Sequence, residues 1–92
     1  MKTLDELPLP ELSFPCEYQV RVMGLDEADF EPFVRELISR HVPGLTPDSF
    51  TSRQSTLGKY CSVTARFIAD SREQVKGLYH ELGKHKRVLT AF

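Results

Sequence analysis

Tyr60-Cys61-Ser62-Val63-Thr64-Ala65-Arg66-Phe67-Ile68-Ala69 decides the fold. In an extended chain Cys61, Val63, Ala65 and Phe67 fall on one side, and Ser62, Thr64 and Arg66 on the other. Period two with one apolar side marks a strand covered on one face only. The next residues switch period. Ser71 with Gln74 three positions on forms a capping box, and Val75, Leu78, Tyr79 and Leu82 follow as a helical stripe. Gly83 stands where a helix C-terminal glycine belongs. Lys84, His85, Lys86 and Arg87 complement the negative end of that helix. Val88 to Phe92 reads as a last strand.

Upstream, Leu57-Gly58-Lys59 is a turn, and Ser49 to Thr56 is a weakly apolar strand suited to a sheet edge. Leu45 to Asp48 connects it to a helix that Pro43-Gly44 ends. Phe30, Phe33, Val34, Leu37, Ile38 and His41 give that helix one stripe. Pro32 places its cap at Asp29. Counted from there, the proline is the third helical residue, where a missing N–H costs nothing. Before it, Cys16, Tyr18, Val20 and Val22 alternate with Glu17, Gln19 and Arg21 in a first strand, which Gly24 is expected to end. Residues 1–15 carry Pro8, Pro10 and Pro15 and read as an extended arm.

The order is β-α-β-β-α-β. Right-handed crossovers then give an α+β, ferredoxin-like βαββαβ two-layer sandwich over residues 16–92. It has a four-stranded antiparallel sheet with two helices on one face, and the first and third strands at its centre. Cys16 and Cys61 fall roughly five residues apart along that central pair, about 16 Å, so both are expected free, buried and inert.

Composition removes several functions. Of 92 residues, 40% are apolar and 27% charged, and the net charge is −1. That balance suits a folded domain and lacks the basic footprint of general nucleic-acid binding. No apolar run reaches membrane-spanning length, and the acidic start Met1 to Glu6 lacks a signal core. A cytoplasmic protein without membrane contact is expected. Two cysteines cannot form a four-ligand zinc site, and no HxxxH spacing exists, so neither metal nor cofactor is expected. Residues 1–46 hold nine acids and four bases, and residues 47–92 hold four acids and eight bases. A fold that interleaves the halves would blur this asymmetry.

Four places could carry chemistry. The open face of the sheet presents Arg21, Thr64 and Arg66, with Glu17, Gln19 and Ser62, as a partner-binding surface. It lacks the central aromatics that stack RNA bases, and Gly58 to Val63 does not match the ribonucleoprotein pattern. The turn at Gly24, Leu25 and Asp26 could hold a small ligand against a helix N-terminus. Asp26, Glu27, Asp29 and Glu31 there would suit an ammonium group rather than an anion. His41 and His80 would serve a small enzyme only beside a nucleophile or a second acid–base group. The run Lys84 to Arg87 could hold a phosphate or an acidic partner, against its simpler role at a helix end.

Phe14-Pro15, Tyr18, Val22-Met23-Gly24, Arg40-His41-Val42-Pro43-Gly44, Gly58-Lys59-Tyr60, Ser62-Val63, Glu73-Gln74-Val75 and Leu78-Tyr79-His80-Glu81-Leu82-Gly83 together resemble the YbeD-like family of small uncharacterised bacterial proteins. The resemblance runs the length of the chain, with several residues added in Leu45–Thr56. It implies a cytosolic ferredoxin-like sandwich similar to ACT-like regulatory domains, with no assigned catalytic residues. Some members are encoded beside lipoate-attachment enzymes. The expected function is a non-enzymatic regulatory or interaction domain that binds a small metabolite or a protein partner. A ligand sensor of this kind is expected as a homodimer. The alternatives are a protein-binding adaptor linked to lipoate metabolism and a small enzyme using His41 or His80.

Overall fold

The computed structural model describes residues 13–55 and 58–92. The arm expected over residues 1–15 thus lies outside the described residues up to position 12, as do Thr56 and Leu57 of the expected turn. The elements are β1 (Cys16–Leu25), α1 (Phe30–His41), a 3-10 turn (Pro47–Ser49), β2 (Phe50–Gln54), β3 (Tyr60–Ala69), α2 (Arg72–Lys84) and β4 (Thr90–Ala91). The four strands form one antiparallel sheet in the order β2-β3-β1-β4. Two helices cover one face, as the βαββαβ reading requires.

Alternation builds the core. Val20 and Val22 of β1 and Val63 and Ala65 of β3 are fully buried beneath Phe30, Val34 and Ile38 of α1 and Val75, Leu78 and Leu82 of α2. The two central strands pair over all ten positions, from Cys16↔Ala69 to Leu25↔Tyr60. Cys16 and Cys61 are both free. They stand eight ladder positions apart, farther than expected, because Cys16 pairs with the last residue of β3. Cys61 is buried, and burial pushes its thiol pKa up. Cys16, at the strand's outer end, is half-exposed rather than buried.

Both helices start as their sequences require. Ser71 caps α2 by accepting from the Gln74 N–H at 3.1 Å. The Gln74 side chain does not return to Ser71. It accepts from the Asp70 N–H (2.8 Å) and donates to the His41 carbonyl (3.0 Å), tying the end of α1 to the start of α2. Asp29 stands at the α1 cap, with Pro32 third in the helix, but makes no side-chain cap bond because its carboxylate is taken elsewhere. The α1 helix ends before Gly44, whose φ of 83° needs no side chain.

Two glycines correct the sequence reading. Gly83 has no left-handed backbone and lies inside α2, which runs on to Lys84. Gly24 does not end β1. It is buried within the strand and pairs with Cys61. A Cβ there would penetrate the Phe30 ring and stand 2.5 Å from the Arg87 carbonyl oxygen. The glycine is required for close approach, since α1 and the segment leading to β4 both press on this point.

Arg87 locks the same corner. Its Nη2 is 2.7 Å from Asp29 Oδ1 and 3.3 Å from Glu27 Oε1, and its Nη1 donates to Asp29 Oδ2 at 3.2 Å. The guanidinium lies 4.7 Å from the Phe33 ring centre, a cation–π contact that covers its buried, unpartnered Nε. The expected partner of Arg87 was the end of α2. Its actual partners are the acids before and at the start of α1.

Gly24→Ala should cost about 1–3 kcal/mol through overpacking, read by urea unfolding. Gly77→Ala is the matched control. A Cβ there meets only the His41 ring, at 3.7 Å, and should add about 0.5–1 kcal/mol of helix stability.

Candidate functional site

The face of the sheet away from the helices is ordered by the ladders. Its central row runs Thr51, Thr64, Arg21 and Phe92 from β2 to the β4 side. One step along lie Arg53, Ser62, Met23 and Thr90. One step the other way, Gln19 faces Arg66, and then Glu17 faces Ile68. The predicted surface residues Arg21, Thr64 and Arg66 are therefore brought together. Thr64 differs from expectation in exposure. With Arg21 and Thr51 on either side it is only 9% exposed, so it floors the site rather than lining its surface.

Arg53 joins this group, and the sequence reading missed it. The parity was available: Phe50 is the apolar anchor of β2, so Thr51 and Arg53 must point the other way. One hollow of about 410 Å3 is lined by Arg21, Arg53, Arg66, Ser62 and Thr64, among others. A second, of about 520 Å3, lies toward the start of β1, with Glu17, Gln19, Arg66 and Ile68 on its lining.

The charges here are uncompensated. In the helix layer Arg35 pairs with Glu31, Arg40 with Glu36, and Arg87 with Asp29 and Glu27. Among the described residues Arg21, Arg53 and Arg66 form no ion pair. Arg66 donates from Nε to Gln19 Oε1 at 3.2 Å, and Arg21 lies 5.6 Å from the Phe92 ring centre. Glu17 is the one acidic side chain on this face among the described residues, in its outermost row. Exposed apolar side chains surround the arginines: Leu25, Tyr60, Ile68 and Phe92 are each 42–56% exposed.

The other expected site is placed differently. Gly24, Leu25 and Asp26 form no open turn, because Gly24 and Leu25 are paired with β3 and the Asp26 N–H donates to the Lys59 carbonyl at 2.9 Å. Phe30 fills the space behind Gly24. The neighbouring acids are occupied. Asp26 accepts from Gln54 at 2.6 Å, Glu27 and Asp29 hold Arg87, and Glu31 holds Arg35 at 2.7 Å.

The histidines serve the helix layer. His41 Nε2 lies 3.4 Å from Glu81 Oε1, and His85 Nε2 lies 3.6 Å from Glu81 Oε2. His80 is exposed on α2. His85 stacks edge-on against Phe33 at 5.3 Å. The run Lys84 to Arg87 is thus divided, with two of its members turned into structure. Tyr79, buried and bonded to the Tyr18 hydroxyl at 3.2 Å, has its pKa pushed far up and stays a phenol.

Two carboxylates titrate low. The bond from Arg87 holds Asp29 below its ordinary 3.8, and the bond from His41 holds Glu81 below its ordinary 4.5. A depressed folded-state pKa adds stability above the unfolded value and loses it as pH falls through the folded value. The melting temperature should therefore drop as pH falls from about 4.5 toward 3. Arg87→Met, which keeps the apolar stem on Phe33, should flatten the part of that drop due to Asp29. A pH series of thermal melts reads both.

Comparison with known proteins gives a consistent result. A family described as "Protein of unknown function" (DUF493) matches residues 10–92. A UPF0250 protein of Edwardsiella ictaluri is 44% identical over 85 residues, covering 90% of each chain. One of Sodalis glossinidius is 41% identical over 85 residues, covering 91% of each. One of Hahella chejuensis is 32% identical over 79 residues, 86% of this chain and 87% of that one. Among solved structures, the solution structure of protein HP0495 from H. pylori superposes with a TM-score of 0.67 at 14% identity, covering 100% of this chain and 97% of that one. At that identity the likeness concerns the fold.

Proposed function

The chain belongs to the DUF493 family of proteins of unknown function, the YbeD-like group its sequence resembles, and we propose that it is a non-enzymatic binding module for an acidic protein partner. The observation that carries this reading is the set of three arginines, Arg21, Arg53 and Arg66, on the open face, none of which forms an ion pair with an acidic side chain among the described residues. In the helix layer Arg35, Arg40 and Arg87 have been given acids. An unpaired guanidinium on a flat sheet is a ready fork for a carboxylate.

The setting favours a protein over a small metabolite. The arginines stand on three strands, and the apolar groups around them, Tyr60 and Phe92 above all, are the kind enriched at protein interfaces. Neither hollow is enclosed, and the one at the start of β1 wraps the sheet's end, with Tyr18 and Phe67 on its lining, whereas small-ligand sites are enclosed. The relatives carry no enzyme names. His41, the best-placed acid–base group, is engaged with Glu81. We take the partner to be met in the cytoplasm; no helix among the described residues is long and apolar enough to cross a membrane.

The test is a titration by fluorescence anisotropy with a glutamate-rich peptide, a lysine-rich peptide and a single-stranded oligonucleotide. The glutamate-rich peptide should bind, and more weakly as salt rises from about 50 to 300 mM. Arg21→Glu with Arg66→Glu should weaken it about tenfold or more, while unfolding stability stays within about 0.5 kcal/mol. Preference for the oligonucleotide, or binding indifferent to both substitutions, would overturn the proposal.

A further inference from the structure

β1 is ten residues long and pairs with β3 throughout, yet β4 covers only its second half. The ladder to β4 contains Val22↔Ala91 and Met23↔Thr90. Beyond it, Arg21 and Phe92 exchange both backbone bonds, N–H to O at 2.7 and 2.9 Å. In an antiparallel strand the residues that bond one neighbour alternate with those that bond the other. The N–H and C=O groups of Gln19 and Glu17 therefore point the same way as those of Arg21. Among the described residues nothing meets them. Among the described residues, β1 thus has a stretch of edge without a partner strand, in line with β4.

This edge differs from the other open edge, on β2. Beside it on the helix side lie Cys16 and Tyr18, both half-exposed although they sit on the core face. On the open side Gln19 holds Arg66, and Arg21 stands one step along. A strand laid here would gain backbone bonds, cover Tyr18 with one set of side chains, and bring the alternate set beside two unpaired guanidiniums.

We infer that the partner binds by strand addition, an extended acidic segment lying along Glu17 to Val20 as a continuation of β4. Its outward side chains at alternate positions are carboxylates, reaching Arg66 across Gln19 and reaching Arg21. Its inward ones are apolar and cover Tyr18. The inference takes the sign of the partner's charge from the function proposed above, and adds the edge, the register and the extended conformation.

The experiment uses the full chain and a synthetic peptide alternating valine and glutamate, read by amide hydrogen exchange. The peptide should slow exchange at Glu17 and Gln19 about tenfold or more. Gln19→Pro removes one outward N–H, and proline is tolerated at an edge facing solvent; it should weaken this peptide about tenfold. The same peptide N-methylated at alternate amides should lose binding with the protein untouched. If Arg21→Glu and Arg66→Glu abolish binding while Gln19→Pro and N-methylation do nothing, the strand addition is wrong and the acidic-partner reading stands. If none of these changes matters, both fall. Protection at Ser52 and Gln54 on the β2 edge would overturn the inference. So would protection at Glu17 and Gln19 without peptide, whether it grows with protein concentration, as a second copy would require, or does not.

Discussion

The register between β1 and β3 is the constraint on which the rest depends. Ten consecutive pairs, Cys16↔Ala69 to Leu25↔Tyr60, fix which side of the sheet every residue of these strands occupies. A slip of one position would exchange the faces. It would bury Arg21 and Arg66 among the apolar side chains of the helices without partners, at a cost of several kcal/mol. The same register brings the arginines together outside and Val20, Val22, Val63 and Ala65 together inside. The stability of the core and the charge of the open face are two results of one pairing.

A second constraint sits at the end of that ladder. Gly24 lets Phe30 and the Arg87 backbone approach the strand, and Arg87 then reaches Glu27 and Asp29. This draws the basic second half of the chain onto the acidic first half. His41 and Glu81 join the two halves with the roles reversed, a first-half histidine beside a second-half acid, at the other end of α1. In the helix layer ion pairs join the second-half base Arg87 to the first-half acids Glu27 and Asp29. On the sheet, Arg21, Arg53 and Arg66 have no ion pair among the described residues.

The likeness to the H. pylori protein at 14% identity shows how little of the residue identity this architecture needs. What the two chains must share is the alternation of strands, the stripes of the helices and the order of elements. The open face contributes little to the core, so its composition is freer to vary.

Periodicity by itself determined the element order, the central position of β1 and β3, the cap at Ser71, the end of α1 at Gly44 and the two faces of the sheet. These are local or alternate by fixed geometry, so neighbouring residues suffice to read them. Arg21 and Arg66 were placed on the open face for the same reason. The tertiary structure alone decided the role of Gly24, because a strand glycine and a turn glycine look alike until Phe30 arrives against it. It decided that Thr64 is covered, since burial depends on the length of cross-strand neighbours. It decided that Glu27, Asp29 and Glu31 are engaged by arginines, one of them about 60 positions away.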